Sequence, residues 1–139
     1  MMSIEGLILQ PGEARGISAT AERATGCSMF ELSVAPGFDT GAHYHTRIEE
    51  FFFVLEGELN LRVGARVVRA GPGTFMFVPI GAVHSYGNPG PNAARVLFLT
   101  SPPGFERYFV EISELLAKGG RPDPEAIAAL RRKHDIAQV

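Results

Sequence analysis

Three of the chain's four histidines lie in its middle, His43, His45 and His84, the first two as His43-Tyr44-His45. In an extended strand, residues i and i+2 share a face, so both imidazoles of the pair can aim at one point. Two imidazoles with a carboxylate nearby suit a divalent transition metal: Fe, Mn, Ni, Cu, Co or Zn. Taken alone, a His-x-His pair is weak evidence for a metal site. The carboxylate can come from Glu49 or Glu50. Glu49 has the strand parity of the histidines; Glu50 has the opposite parity and qualifies only if Thr46–Glu49 bends between two strands. Periodicity alone leaves both open.

The flanking residues extend the pattern. Gly37 precedes His43 by five intervening residues, four lie between His45 and Glu50, and six between Glu50 and Gly57. Fifteen residues later comes a second set, Gly73, Pro79, Gly81, His84 and Asn88. Both sets resemble the two motifs of the cupin family: Gly, His-x-His, Glu and Gly, then Gly, Pro-x-Gly, His and Asn. The resemblance covers Gly37–Asn88. It implies an all-β fold, the double-stranded β-helix or jelly-roll barrel, with one divalent transition metal held inside by His43, His45, Glu50 and His84. It favours Glu50 over Glu49, which then becomes a solvated loop charge. Gly57 is expected in a hairpin turn needing positive φ, Pro79-Ile80-Gly81 in a turn before His84, and Asn88 in a structural turn.

Three imidazoles and a carboxylate leave one or two positions open on a five- or six-coordinate ion, the mark of a working site. With Glu50 inward, Phe52 and Val54 share its face, and Tyr86 shares that of His84. Met76 and Phe98 are further candidates for the pocket wall. Such an oily pocket suits a small aromatic or hydrophobic molecule. The region after Pro79 is similar to single-domain cupins of the quercetin-dioxygenase-like group. That implies a metal-dependent dioxygenase acting on an aromatic enol, flavonol or β-diketone, with Glu50 as ligand and catalytic proton acceptor. An O2-independent isomerase, cyclase or decarboxylase is the alternative, and a non-catalytic small-molecule or metal-binding cupin is the third.

The elements that must position these residues read as follows. Strands are expected at Ile4–Leu9, Cys27–Val34, Phe51–Leu55, Glu58–Val63, Arg66–Val68, Thr74–Val78 and Arg95–Thr100, between turn residues such as Pro36-Gly37 and Gly71-Pro72-Gly73. Phe105, Tyr108, Phe109, Ile112, Leu115 and Leu116 then form a helical stripe ending at Gly119-Gly120. A second helix is expected from Asp123 as N-cap, with Pro124 next, to about Lys133. Arg131, Arg132, Lys133 and His134 suit the negative end of its dipole, which makes His134 a solvated end residue. Residues 1–100 are expected to form the barrel and 101–139 a helical extension packing on it in the same domain.

The 139 residues suit one domain. A net charge of −2 offers no basic footprint for nucleic acid or an anionic membrane. No basic leader opens the sequence and no apolar run is long enough to span a bilayer. Cys27 is the only cysteine, read as a small buried strand residue in a reducing, cytoplasmic setting. Phe51-Phe52-Phe53-Val54-Leu55 is apolar on both strand faces, so its outer face needs a cover: the C-terminal helices or a second subunit. A homodimer is expected, with a small-molecule substrate as the other partner.

Overall fold

The structure, a computed structural model, describes residues 26–139 and the backbone of 16–18; the expected strand Ile4–Leu9 lies outside the described residues. The elements in chain order are β1 (Gly16–Ser18), β2 (Ser28–Val34), β3 (His43–Tyr44), β4 (Glu49–Glu56), β5 (Leu59–Val63), β6 (Arg66–Ala70), β7 (Phe75–Val78), β8 (His84–Gly87), β9 (Ala94–Ser101), α1 (Glu106–Ala117), α2 (Pro124–Lys133) and β10 (Ala137–Gln138). They build two five-stranded antiparallel sheets, β1-β2-β9-β4-β7 and β10-β3-β8-β5-β6, packed as a jelly-roll sandwich. Cys27 is half-buried and lies just before β2, outside the strand it was expected to join.

Strict alternation makes the first sheet two-faced. Along β4, Glu50, Phe52 and Val54 are buried; along β9, so are Ala94, Val96, Phe98 and Thr100. The register sets Phe52 opposite Phe98 and Val54 opposite Val96. The Phe52 and Phe98 rings lie 4.8 Å apart, and Leu59 and Leu61 of β5 are buried in the same core. Burying an aromatic this fully is worth roughly 1.5–3 kcal/mol over leaving it in water. Between β4 and β5, Gly57 turns the chain at φ +76°, and a Cβ there would meet the Ala93 carbonyl and the Ala94 backbone at 3.0 Å. Conformation and space both demand glycine at this hairpin.

On the outer face, Phe53, Phe75 and Phe77 are exposed beside a half-buried Phe51. The C-terminal helices, one of the two covers expected for this face, leave it exposed and pack elsewhere. The Ser28 hydroxyl donates to the Glu106 carboxylate, which also accepts from the Gly104 amide, and this fixes the start of α1. Asp123 caps α2 as expected, accepting from the Glu125 amide. Lys133 pairs with Glu111 and so ties α2 to α1. His134 departs from expectation: its side chain is only 11% exposed, its Nε2 lies 3.3 Å from the same Glu111 carboxylate, and its ring packs on Tyr108. The helical pair provides a partner that a lone helix end would lack.

Past α2 the chain returns to the sandwich. β10 pairs with β3, setting Gln138 opposite His43, so the segment after residue 101 contributes a strand as well as helices. Among the described residues, no helix is long and apolar enough to cross a membrane.

Candidate metal centre

His43 and His84 are cross-strand partners on β3 and β8, in one sheet. His45 follows β3, and the chain then bends through Thr46 and Arg47 before β4 begins at Glu49. The bend lets Glu50 project inward from the opposite sheet, despite its parity relative to the histidines. Glu50 is buried; Glu49 opens β4 half-buried instead of standing in a loop. Pro79-Ile80-Gly81 closes back toward the site, its Gly81 amide donating to the His45 carbonyl at 2.8 Å. Asn88 is 3% exposed; its amide donates to the Val34 and Asn92 carbonyls and its oxygen accepts from the Gly90 amide. Asn88 therefore holds loops together.

The three rings converge, with centroids 4.3 Å apart for His43 and His84 and 5.1 Å for each with His45. Their potential ligand atoms all lie within 4.8 Å of one another. Each Nδ1 faces a backbone carbonyl: His43 that of Gly41 at 2.8 Å, His45 that of Asp135 at 2.8 Å, His84 that of Ala82 at 2.9 Å. A carbonyl only accepts, so each Nδ1 carries the proton and each Nε2 presents a lone pair. His45 Nε2 then lies 2.8 Å from Glu50 Oε1 and His84 Nε2 2.9 Å from Oε2. Both Nε2 atoms are nonetheless buried without a hydrogen-bond partner, since lone pair faces lone pair.

That contact is repulsive unless a cation sits between the groups. Around an ion with ligands at about 2.1 Å, neighbouring ligand atoms at right angles are about 3.0 Å apart, which matches the spacing here. The donor set, three neutral imidazoles and one carboxylate, is one that first-row divalent ions accept. Without a metal, a proton is the available cation. Burial opposes charge on His45, but the Glu50 carboxylate outweighs it and raises the pKa above the imidazole value. Burial likewise pushes Glu50 up, while the His45 and His84 rings against it prevail and hold it down at about 2. His43, where burial is the main influence, falls to about 4 and stays a neutral donor near pH 7.

The cluster opens into a cavity of about 260 Å³. His43, Glu50, Thr40 and Tyr86 line it from the barrel; Phe105, Tyr108, Phe109, Ile112 and Leu116 from α1 and the residue before it; Arg131 and Ile136 from α2 and beyond; Phe38 and Phe98 complete the wall. Of the expected pocket residues, Tyr86 and Phe98 are on this wall. Phe52 and Val54 are instead core residues, 1% and 0% exposed, and Met76 lies along a separate groove beside Phe75 and Phe77. Burial and the Glu50 charge raise the pKa of Tyr86, so its hydroxyl stays protonated. Sequence reasoning missed the helical wall, although the aromatic content of the stripe from Phe105 to Ile112 was a signal for it. It also missed Asp135 and Arg131, which a local pattern does not reveal.

Comparison with known proteins bears on this arrangement. The family model described as the cupin domain matches residues 30–100. The tetracenomycin polyketide synthase protein TcmJ of Streptomyces glaucescens is 31% identical over 103 residues, 73% of this chain and 69% of its own length. The solved structure of the polyketide cyclase RemF from Streptomyces resistomycificus superposes with a TM-score of 0.54 at 28% identity, covering 64% of this chain and 62% of that one. Quercetin 2,3-dioxygenase of Bacillus subtilis is 39% identical over 44 residues, 32% of this chain and 13% of its own. The present chain thus spans less than two thirds of the last two proteins.

Proposed function

The chain belongs to the cupin family, and on that footing we propose that it is a metal-dependent enzyme that closes a ring in a compact β-polyketone without using O2. His43, His45, His84 and Glu50 would hold one divalent transition metal. The observation that carries the reading is that this cradle opens directly onto an aromatic cavity. Similarity to the polyketide cyclase RemF, over 64% of the chain, supports cyclisation, and similarity to the polyketide synthase protein TcmJ, over 73%, supports a polyketide substrate, whereas similarity to the dioxygenase extends over 32%.

A divalent ion held by these residues would supply Lewis acidity toward a substrate carbonyl, making the carbon beside it more acidic. Glu50, on the cavity wall, is the carboxylate placed to accept that carbon's proton. The Tyr86 hydroxyl, kept protonated, can donate to the carbonyl that becomes a hydroxyl. Phe98, Phe105, Tyr108 and Phe109 stack on the substrate, fold it and keep bulk water away from a step that expels water. The reaction balances as an intramolecular carbon–carbon bond formation followed by loss of one water. A cavity of about 260 Å³ selects a substrate of one or two rings.

Incubating the Fe-, Mn-, Ni-, Co-, Cu- and Zn-loaded protein with an aryl triketone, under argon and in air, tests this by product mass and oxygen uptake. Loss of one water at equal rates in both atmospheres is expected. Turnover only in air, with two oxygen atoms gained, establishes instead the dioxygenase that the partial similarity to quercetin 2,3-dioxygenase favours. Binding without turnover in either atmosphere leaves a ligand-binding cupin. The exposed phenylalanine face of β4 and β7 supports a homodimer through that surface; a monomeric mass in sedimentation at all concentrations removes it.

A further inference from the structure

The last turn of α2 carries three consecutive cations, and they behave differently. Arg132 pairs with Glu125 and Lys133 with Glu111, both at the surface. Arg131 has no carboxylate partner among the described residues and turns inward to the cavity wall. One terminal nitrogen donates to the Thr40 carbonyl at 3.2 Å, while its Nε is buried with no partner at all. Leaving a charged N–H buried and unsatisfied is costly, and a guanidinium with one hydrogen bond has further donors free for an acceptor in the cavity. Arg131 is also the one lysine or arginine on the wall of this cavity among the described residues.

A guanidinium is a planar fork of donors that matches a carboxylate in two parallel hydrogen bonds. The same cavity is lined by the aromatic side chains Phe98, Phe105, Tyr108 and Phe109. A molecule seated in this cavity meets the Arg131 cation, apolar faces and the cradle residues His43 and Glu50 on its wall. One guanidinium balances one negative charge, so a monoanionic carboxylate fits where a dianionic phosphate leaves charge unmatched. We infer that Arg131 is a specificity-determining residue that anchors a substrate carboxylate, so that the substrate is a compact aromatic or enolic acid. This rests on the preceding reading that a molecule of that kind occupies the cavity.

The test is calorimetric binding of 2-naphthoate and of 2-naphthamide, which has the same shape without the charge, to the full zinc-loaded chain and to its Arg131→Gln and Arg131→Leu variants. The native protein is expected to prefer the acid by roughly tenfold or more. Both variants should bind the two compounds alike, with affinity for the amide and zinc content unchanged. Two substitutions are used so that misfolding of one leaves the other to decide. Retention of the acid preference in a folded variant assigns it to the metal or to another group and overturns the inference, as does a native protein with no preference. Failure of both compounds to bind the native protein overturns the aromatic-cavity reading, and this inference falls with it. Amide binding without any acid preference overturns the role of Arg131 alone.

Discussion

The barrel interior and the segment after residue 101 divide the site between them in different ways. The barrel supplies the four converging side chains, drawn from two sheets by register and by the bend at Thr46 and Arg47. The C-terminal segment supplies none of them. It provides the carbonyl that orients His45, the strand beside His43, half of the cavity's phenylalanine and tyrosine wall and the cation Arg131. The lesson is that a site's donor chemistry and its selectivity can reside in separate stretches of chain. The first reads in the sequence as close spacing; the second is written in contacts between residues far apart.

The largest effect that bears on this division is expected on the barrel side. His84→Ala and His43→Ala should each abolish stoichiometric metal uptake, measured by elemental analysis of purified protein. Full stoichiometry in both variants would show that the donors do not act together. A smaller effect is expected from the C-terminal side. Asp135 adopts φ +61°, unusual for a residue other than glycine, and its carboxylate accepts from the Thr46 amide, the Thr46 hydroxyl and the Arg47 amide. Those bonds hold in place the backbone whose carbonyl receives the His45 proton. Asp135→Ala should weaken metal binding by roughly tenfold, within the range for residues that orient ligands. Asp135→Asn tolerates the positive φ and should lose less. Competition titration with a chelator reads both, and an unchanged affinity in the alanine variant would confine the C-terminal segment to walling the cavity.

How far the sequence was legible follows the same boundary. Strand alternation and the helical period were enough for a β-rich fold and for α1 and α2, whereas the jelly roll and the preference for Glu50 over Glu49 came from the resemblance carried by the two motifs. Alternation and period each rest on residues a few positions apart, where backbone geometry alone determines which side chains share a face. The short strands β3, β8 and β10, of two to four residues, lacked the length for alternation to declare itself. Parity named Phe52 and Val54 as pocket residues because they share the Glu50 face. It carries no information on depth, and both pack into the core beyond the cavity's reach. Arg131 read as a partner of the helix dipole, since a helix terminus attracts positive charge whether or not a cavity lies beneath it.

The hydrogen bond from His45 to the Asp135 carbonyl spans 90 residues of sequence. On a ribosome adding about 5–20 residues per second, the acceptor is made on the order of 5–20 s after the ring it steadies. Once His84 has been made, the nascent chain holds His43, His45, His84 and Glu50 without the partner that aims one of them. Metal capture in the final geometry therefore has to wait for late synthesis, and an ion seized earlier would be held by a looser, more exchangeable set of donors.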